Sequence, residues 1–119
     1  MNKNFDRAER VASRIREELA GALLRKINDP RISGVTVTAV KVTRDIRLAR
    51  IYYTVAGGEQ EKKAAAEGFA HARGFLKREL AATLLLRYMP DLDFLYDKAI
   101  EHARHVDEVL ASLKKEGGL

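Results

Sequence analysis

Cysteine and tryptophan are absent from this 119-residue chain, and proline occurs only twice. Without cysteine there are no disulfides, no thiolate metal ligands and no cysteine nucleophile, and a reducing compartment is permitted. Long apolar runs are missing too. The longest, Leu80 to Leu86, is seven residues and includes Thr83, far short of the ~20 needed to span a bilayer. The first residues, Met1 to Arg7, lead into charges rather than an apolar stretch, so no secretory signal is expected. What is present is ordinary for a globule: 46% hydrophobic and 33% charged residues, enough apolar surface to offset ordering entropy. The expectation is one cytoplasmic domain over 1–119, with short flexible ends at about 1–5 and 116–119.

Enzyme signatures are missing as well. There is no Gly-rich phosphate loop, no nucleophile elbow and no His-Glu-x-x-His. The three serines, Ser13, Ser33 and Ser112, have no catalytic setting. His102 and His105 are three apart on a helix but lack a third ligand, so they read as solvated side chains. Asp91, Asp93 and Asp97 alternate with the core-like Leu92 and Phe94 and lack the glycine and terminal glutamate of a calcium loop. They read as the wet face of an edge strand, with Asp97 capping the final helix. No catalysis, no cofactor and no metal are expected.

The net charge of +5 has a direction. Residues 1–87 carry 18 basic and 10 acidic side chains, and residues 88–119 carry 4 basic and 7 acidic. A basic body suits a polyanionic partner, because Lys and Arg that meet phosphates release condensed counterions. Many soluble proteins are this basic without such a partner, so charge alone leaves the question open.

Along the chain, Val11, Ile15, Leu19, Ala22 and Leu23 form the apolar stripe of an amphipathic helix running from Arg7 to about Ile27. Arg7, Arg10, Arg14 and Arg25 share a neighbouring arc, interrupted by Glu18. Asp29-Pro30 is expected to stop this helix. Residues 32–43 are β-branched and alternating, but the alternation slips, which calls for a bulge near Ala39 or burial on both faces. After a turn at 43–47, a second strand runs from Leu48 to Val55, with Ala49, Ile51, Tyr53 and Val55 on one face. Lys41, Arg44, Arg47 and Arg50 therefore crowd one hairpin against the single acid Asp45.

Beyond Gly57-Gly58, residues 59–72 read as a helix that Gly74 interrupts. A further helix then runs from Phe75 to about Tyr88, ended by Pro90, with Leu76, Leu80 and Leu84 in one row. A strand with Leu92, Phe94 and Tyr96 inward follows, then a helix from Ile100 to about Lys115. The order α-β-β-α-α-β-α describes an α+β domain with a three-stranded sheet covered by helices. The break at Ala72-Arg73-Gly74 would expose helix N–H groups as an anion site, with Arg73, Lys77 and Arg78 around it. A solvated corner is the plainer alternative.

Several features in order resemble the ribosome-binding factor A family of bacterial small-subunit assembly factors. They are Arg10-Val11, Asp29-Pro30-Arg31, Val35-Thr36-Val37-Thr38, Ala49-x-Ile51-Tyr52 and Ala72-Arg73-Gly74-Phe75-Leu76. The last is Leu84-x-Leu86-Arg87-x-x-Pro90-x-Leu92-x-Phe94-x-x-Asp97. The resemblance implies a type II KH-like domain in which Ala-x-Gly replaces the GxxG loop that clamps nucleic-acid backbone. It also implies binding to the maturing 30S subunit near the 5′-terminal helix of 16S rRNA, in support of late assembly, rRNA processing and growth in the cold. Ribosomal proteins or assembly GTPases are further candidate partners of such a monomer. The candidate RNA-binding residues are Arg7, Arg10, Arg14, Lys41, Arg44, Arg47, Arg50, Ala72, Arg73, Gly74, Lys77 and Arg78. The competing reading is a protein-interaction module that docks through an acidic C-terminal helix.

Overall fold

The computed structural model describes the backbone of residues 3–116 and the side chains of 6–99 and 106–113. The side chains of His102 and His105, and the outermost residues expected to be flexible, lie outside that description. The element order is α1 (Lys3–Arg25), α2 (Pro30–Ser33), β1 (Thr36–Val42), β2 (Leu48–Thr54), α3 (Glu59–Leu84), β3 (Asp91–Tyr96) and α4 (Lys98–Glu116). The three strands form one mixed sheet in the order β1-β2-β3, antiparallel between β1 and β2 and parallel between β2 and β3. Helices α1 and α3 pack on one face of it, giving the expected α+β domain.

The α1 stripe lies where its period put it: Val11, Ile15, Leu19, Ala22 and Leu23 are all buried against the sheet. The helix stops at Arg25, before Asp29-Pro30, and those two residues begin an element rather than end one. Asp29 is the N-cap of α2: its carboxylate accepts from the Arg31 N–H at 2.9 Å, and Pro30 supplies the preset φ of a first helical turn. Ile32, expected at the start of a strand, instead sits in this turn and is fully buried.

The slip in β1 is a bulge. Val37 pairs with Tyr53 and Ala39 with Tyr52, so Thr38 is the extra residue. The bulge turns Val37, Val40 and Val42 towards the helices together, which strict alternation forbids. Thr38 donates its hydroxyl to the Asp97 carboxylate, and Asp97 caps α4 by accepting from the Ala99 N–H at 3.1 Å.

Residues 59–84 are one helix, not two. The expected interruption at Gly74 is absent, and the reason is the stripe beneath it. Ala65, Phe69, Ala72, Leu76, Leu80 and Leu84 recur at spacings of three and four straight through Gly74, and all but the half-buried Ala72 are buried. Burying each leucine is worth ~1.5–3 kcal/mol, against a glycine penalty of ~1 kcal/mol. Packing therefore decides. Phe69 anchors the stripe, stacked on Phe94 at 4.3 Å and tilted against Tyr53 at 4.6 Å. The helix ends at Leu84, earlier than Pro90 would have required, because Leu85 takes the left-handed conformation (φ 54°, ψ 37°).

The 106–113 stretch of helix α4 does not join the core in the same way: Val106, Val109, Leu110 and Leu113 are 41–59% exposed. The helix is also not acidic. Between Lys98 and Glu116 the chain has four acids and four bases. The negative balance of the C-terminal part comes from Asp91, Asp93 and Asp97 in β3 and its cap, which corrects the picture of an acidic last helix.

Candidate nucleic-acid interface

The hairpin between β1 and β2 presents its cations on a fixed frame. The Thr43 hydroxyl donates to the Asp45 carboxylate at 2.7 Å and accepts from the N–H groups of Arg47 and Leu48 at 3.3 and 3.1 Å. Ile46 holds a left-handed φ of 57°, unusual for a β-branched residue, with its side chain packed on the core. The hydroxyl contact, helped by Arg47, holds the Asp45 carboxyl below its ordinary range, so it stays ionised. Asp45 reaches Arg47 at only 3.9 Å, and the Arg47 side chain is 86% exposed. Arg44 is exposed beside it. Such an arginine, held by its backbone and open to solvent at its guanidinium, suits a phosphate partner.

Lys41 and Arg50 are directly opposite on β1 and β2, on the sheet face that the helices leave open. There Lys41 lies over the Tyr52 ring at 5.6 Å, and Arg50 is level with Asp93 of β3.

The basic part of α3 meets this hairpin through Asp91. The Asp91 N–H donates to the Arg47 carbonyl at 2.9 Å, and its carboxylate accepts from Lys77 Nζ at 2.6 Å. The Lys77 ammonium, with Arg73 nearby, holds the Asp91 carboxyl below its usual range. Lys77 is therefore engaged in an ion pair. Because α3 is continuous, the N–H groups around Gly74 are spent on the helix, so the expected anion site at a helix start is not formed. What remains at Ala72-Arg73-Gly74 is a half-buried Ala72, an exposed glycine without a side chain, and the exposed Arg73 and Arg78. A Cβ at Gly74 would meet nothing closer than Arg78 Nη1 at 3.4 Å.

The α1 arginines are exposed but mixed with acids: Arg10 and Arg14 line a shallow hollow with Asp6, Glu9 and Glu17. Arg14 Nη2 also donates to the Leu84 carbonyl at 3.3 Å, where a cation favours the negative end of α3. The sequence-predicted cations thus form three groups rather than one strip: the turn joined to α3, the open sheet face, and α1. Sequence reasoning passed over Arg87 and Tyr88. Both are exposed in the loop after α3, with the Arg87 guanidinium 5.4 Å from the Tyr88 ring centroid.

The comparisons with known proteins agree with one another. A family model described as ribosome-binding factor A matches residues 7–110. A ribosome-binding factor A of Desulfatibacillum aliphaticivorans is 44% identical over 111 residues, covering 93% of this chain and 90% of the relative. That of Geobacter sulfurreducens is 44% identical over 114 residues, covering 96% and 97%. Among solved structures, a putative ribosome binding factor A of Thermotoga maritima, determined by solution NMR, superposes with a TM-score of 0.65 at 30% identity, covering 80% of this chain and 90% of that one. A Thermus thermophilus ribosome binding factor A, fitted into a cryo-EM map of a 30S complex, superposes with a TM-score of 0.61 at 26% identity, covering 73% and 91%.

Proposed function

This chain belongs to the ribosome-binding factor A family, and from that premise we propose that it binds the maturing 30S subunit. It contacts 16S rRNA near the 5′-terminal helix and assists late small-subunit assembly and rRNA processing, including growth in the cold. It acts as a cytoplasmic monomer, by binding and not by catalysis. The observation that carries the reading is the hydrogen-bonded turn at 43–47, which holds Arg44 and Arg47 outward and joins the basic segment of α3 through Asp91. The Thermus relative seen with a 30S subunit supports the same direction.

In mechanism the fold supplies a preset cationic edge. Phosphates approaching the turn meet arginines whose backbone is already ordered, so little conformational entropy is lost on binding. Gly74 leaves the surface of α3 open beside Arg73 and Arg78, where a sugar-phosphate strand can come close to the helix backbone. Affinity should fall with salt, by ~0.7 to ~0.9 in log–log slope for each phosphate neutralised.

The test is co-sedimentation of the purified protein with 30S subunits in sucrose gradients. Arg44→Glu with Arg47→Glu, and separately Arg73→Glu with Arg78→Glu, should each release the protein from the subunit while its circular dichroism is unchanged. Retention of both variants at wild-type levels would refute the assigned surface.

A further inference from the structure

The loop between α3 and β3 turns two large apolar side chains into solvent while being firmly held. Leu86 and Met89 pack against the core and Pro90 is buried, yet Leu85 is 83% and Tyr88 74% exposed. The cause is the left-handed backbone of Leu85, whose N–H closes the helix on the Ala81 carbonyl at 3.2 Å and swings the chain outward. Helices commonly end in such a left-handed residue, but one that is leucine rather than glycine is held there by the surrounding structure. Residues 84–90 contain a base, Arg87, and no acid. Arg87 lies over the Tyr88 ring, and Arg14 is drawn to the adjacent helix end. Tyr88 is three residues from Asp91, whose N–H bonds to the Arg47 carbonyl, so the Tyr88 Cα lies within ~11 Å of the Asp91 Cα, beside the cationic turn.

From this geometry we propose that Leu85, Arg87 and Tyr88 form a stacking subsite for one unpaired RNA base, with Arg87 and Arg14 directed at its flanking phosphates. The proposal rests on the RNA-binding reading and extends it by naming single-stranded RNA as what this loop takes. An exposed aromatic ring accepts the face of any base, and the neighbouring guanidinium supplies charge where the strand's phosphates run. Paired bases would not fit this role, because their faces are already covered in the duplex.

The full chain should be titrated with a 12-nucleotide single-stranded RNA and with purified 30S subunits. The chain has no tryptophan and four tyrosines, so tyrosine fluorescence is observable, and the exposed Tyr88 should be quenched on stacking. Tyr88→Ala should weaken oligonucleotide binding ~5- to 150-fold, with the salt slope unchanged because no charge is lost. Tyr88→Phe should keep affinity within about twofold, since it retains the ring face. Arg87→Ala should lower the salt slope by ~0.7.

Wild-type protein with no RNA affinity would overturn the RNA-binding reading, and the subsite with it. RNA affinity that Tyr88→Ala leaves untouched would overturn the subsite alone. Loss of 30S binding with intact oligonucleotide binding would assign the patch to a ribosomal protein and also overturn the subsite.

Discussion

Two glycines six residues apart on α3 should respond oppositely to the same substitution. At Gly74 a Cβ meets only the flexible end of Arg78 at 3.4 Å. Gly74→Ala should therefore stabilise the helix by ~0.5–1 kcal/mol, the usual advantage of alanine over glycine in a helix interior. At Gly68 a Cβ would lie 2.7 Å from Ile32 Cγ2 and 3.2 Å from Arg31 Cβ. Ile32 is fully buried and fixed by the capped turn of α2, so it cannot move aside cheaply. Overpacking of this kind costs ~1–3 kcal/mol, which exceeds the propensity gain and leaves Gly68→Ala ~1–2 kcal/mol less stable. With an unfolding entropy of ~2.1 cal/mol/K per residue, 119 residues give ~0.25 kcal/mol/K. The thermal midpoint should thus rise ~2–4 °C for Gly74→Ala and fall ~4–8 °C for Gly68→Ala. Circular dichroism melts at 222 nm read both. A lowered midpoint for Gly74→Ala would mean that α3 is broken there after all and that the glycine is needed for a joint. A raised midpoint for Gly68→Ala would refute the close approach of α2 to α3.

The carboxyls of Asp29, Asp45 and Asp91 are held below their ordinary 3.8 by Arg31, Thr43 and Lys77 respectively. Each depressed group stabilises the fold above its unfolded value, and that contribution is lost as pH falls through the folded one. Thermal midpoints taken from about pH 6 down to about pH 2.5 should therefore decline below about pH 4. Asp29→Asn with Asp91→Asn should make that decline shallower, and parallel curves for variant and wild type would contradict the assignment. Between residues 106 and 113, helix α4 leaves Val106, Val109, Leu110 and Leu113 exposed, so that stretch adds little to the core. A chain ending at His105 should melt within about 3 °C of the full protein. A fall beyond about 8 °C would show that the apolar face of α4 is covered in solution.

Periodicity found most elements, because amphipathic spacing is a local property of the chain. The α1 stripe, the β1 bulge, the face of β2 and the Asp97 cap could each be read from neighbouring residues alone. The cations of the 41–50 hairpin were legible for the same reason. The errors have a common physical origin in competition between local preference and burial. Gly74 argued for a break, and the leucine row beneath it argued for continuity, and only the sheet under α3 settled that contest. Pro90 suggested the end of the helix, but Leu85 ended it earlier in a conformation that leucine does not favour. Asp29-Pro30 could equally have stopped one helix or started another, and burial of Ile32 chose the second.

By itself, then, the sequence determined the class of fold, the basic character of residues 1–87 and the set of cations available for a polyanion. Only the tertiary structure decided which of them stand together. It placed Asp91 between the hairpin turn and α3, pairing Lys77 while leaving Arg47 open, and it turned Tyr88 outward beside Arg87. These are contacts between residues far apart in the chain, or consequences of one left-handed residue. No local pattern of charge or hydrophobicity encodes them.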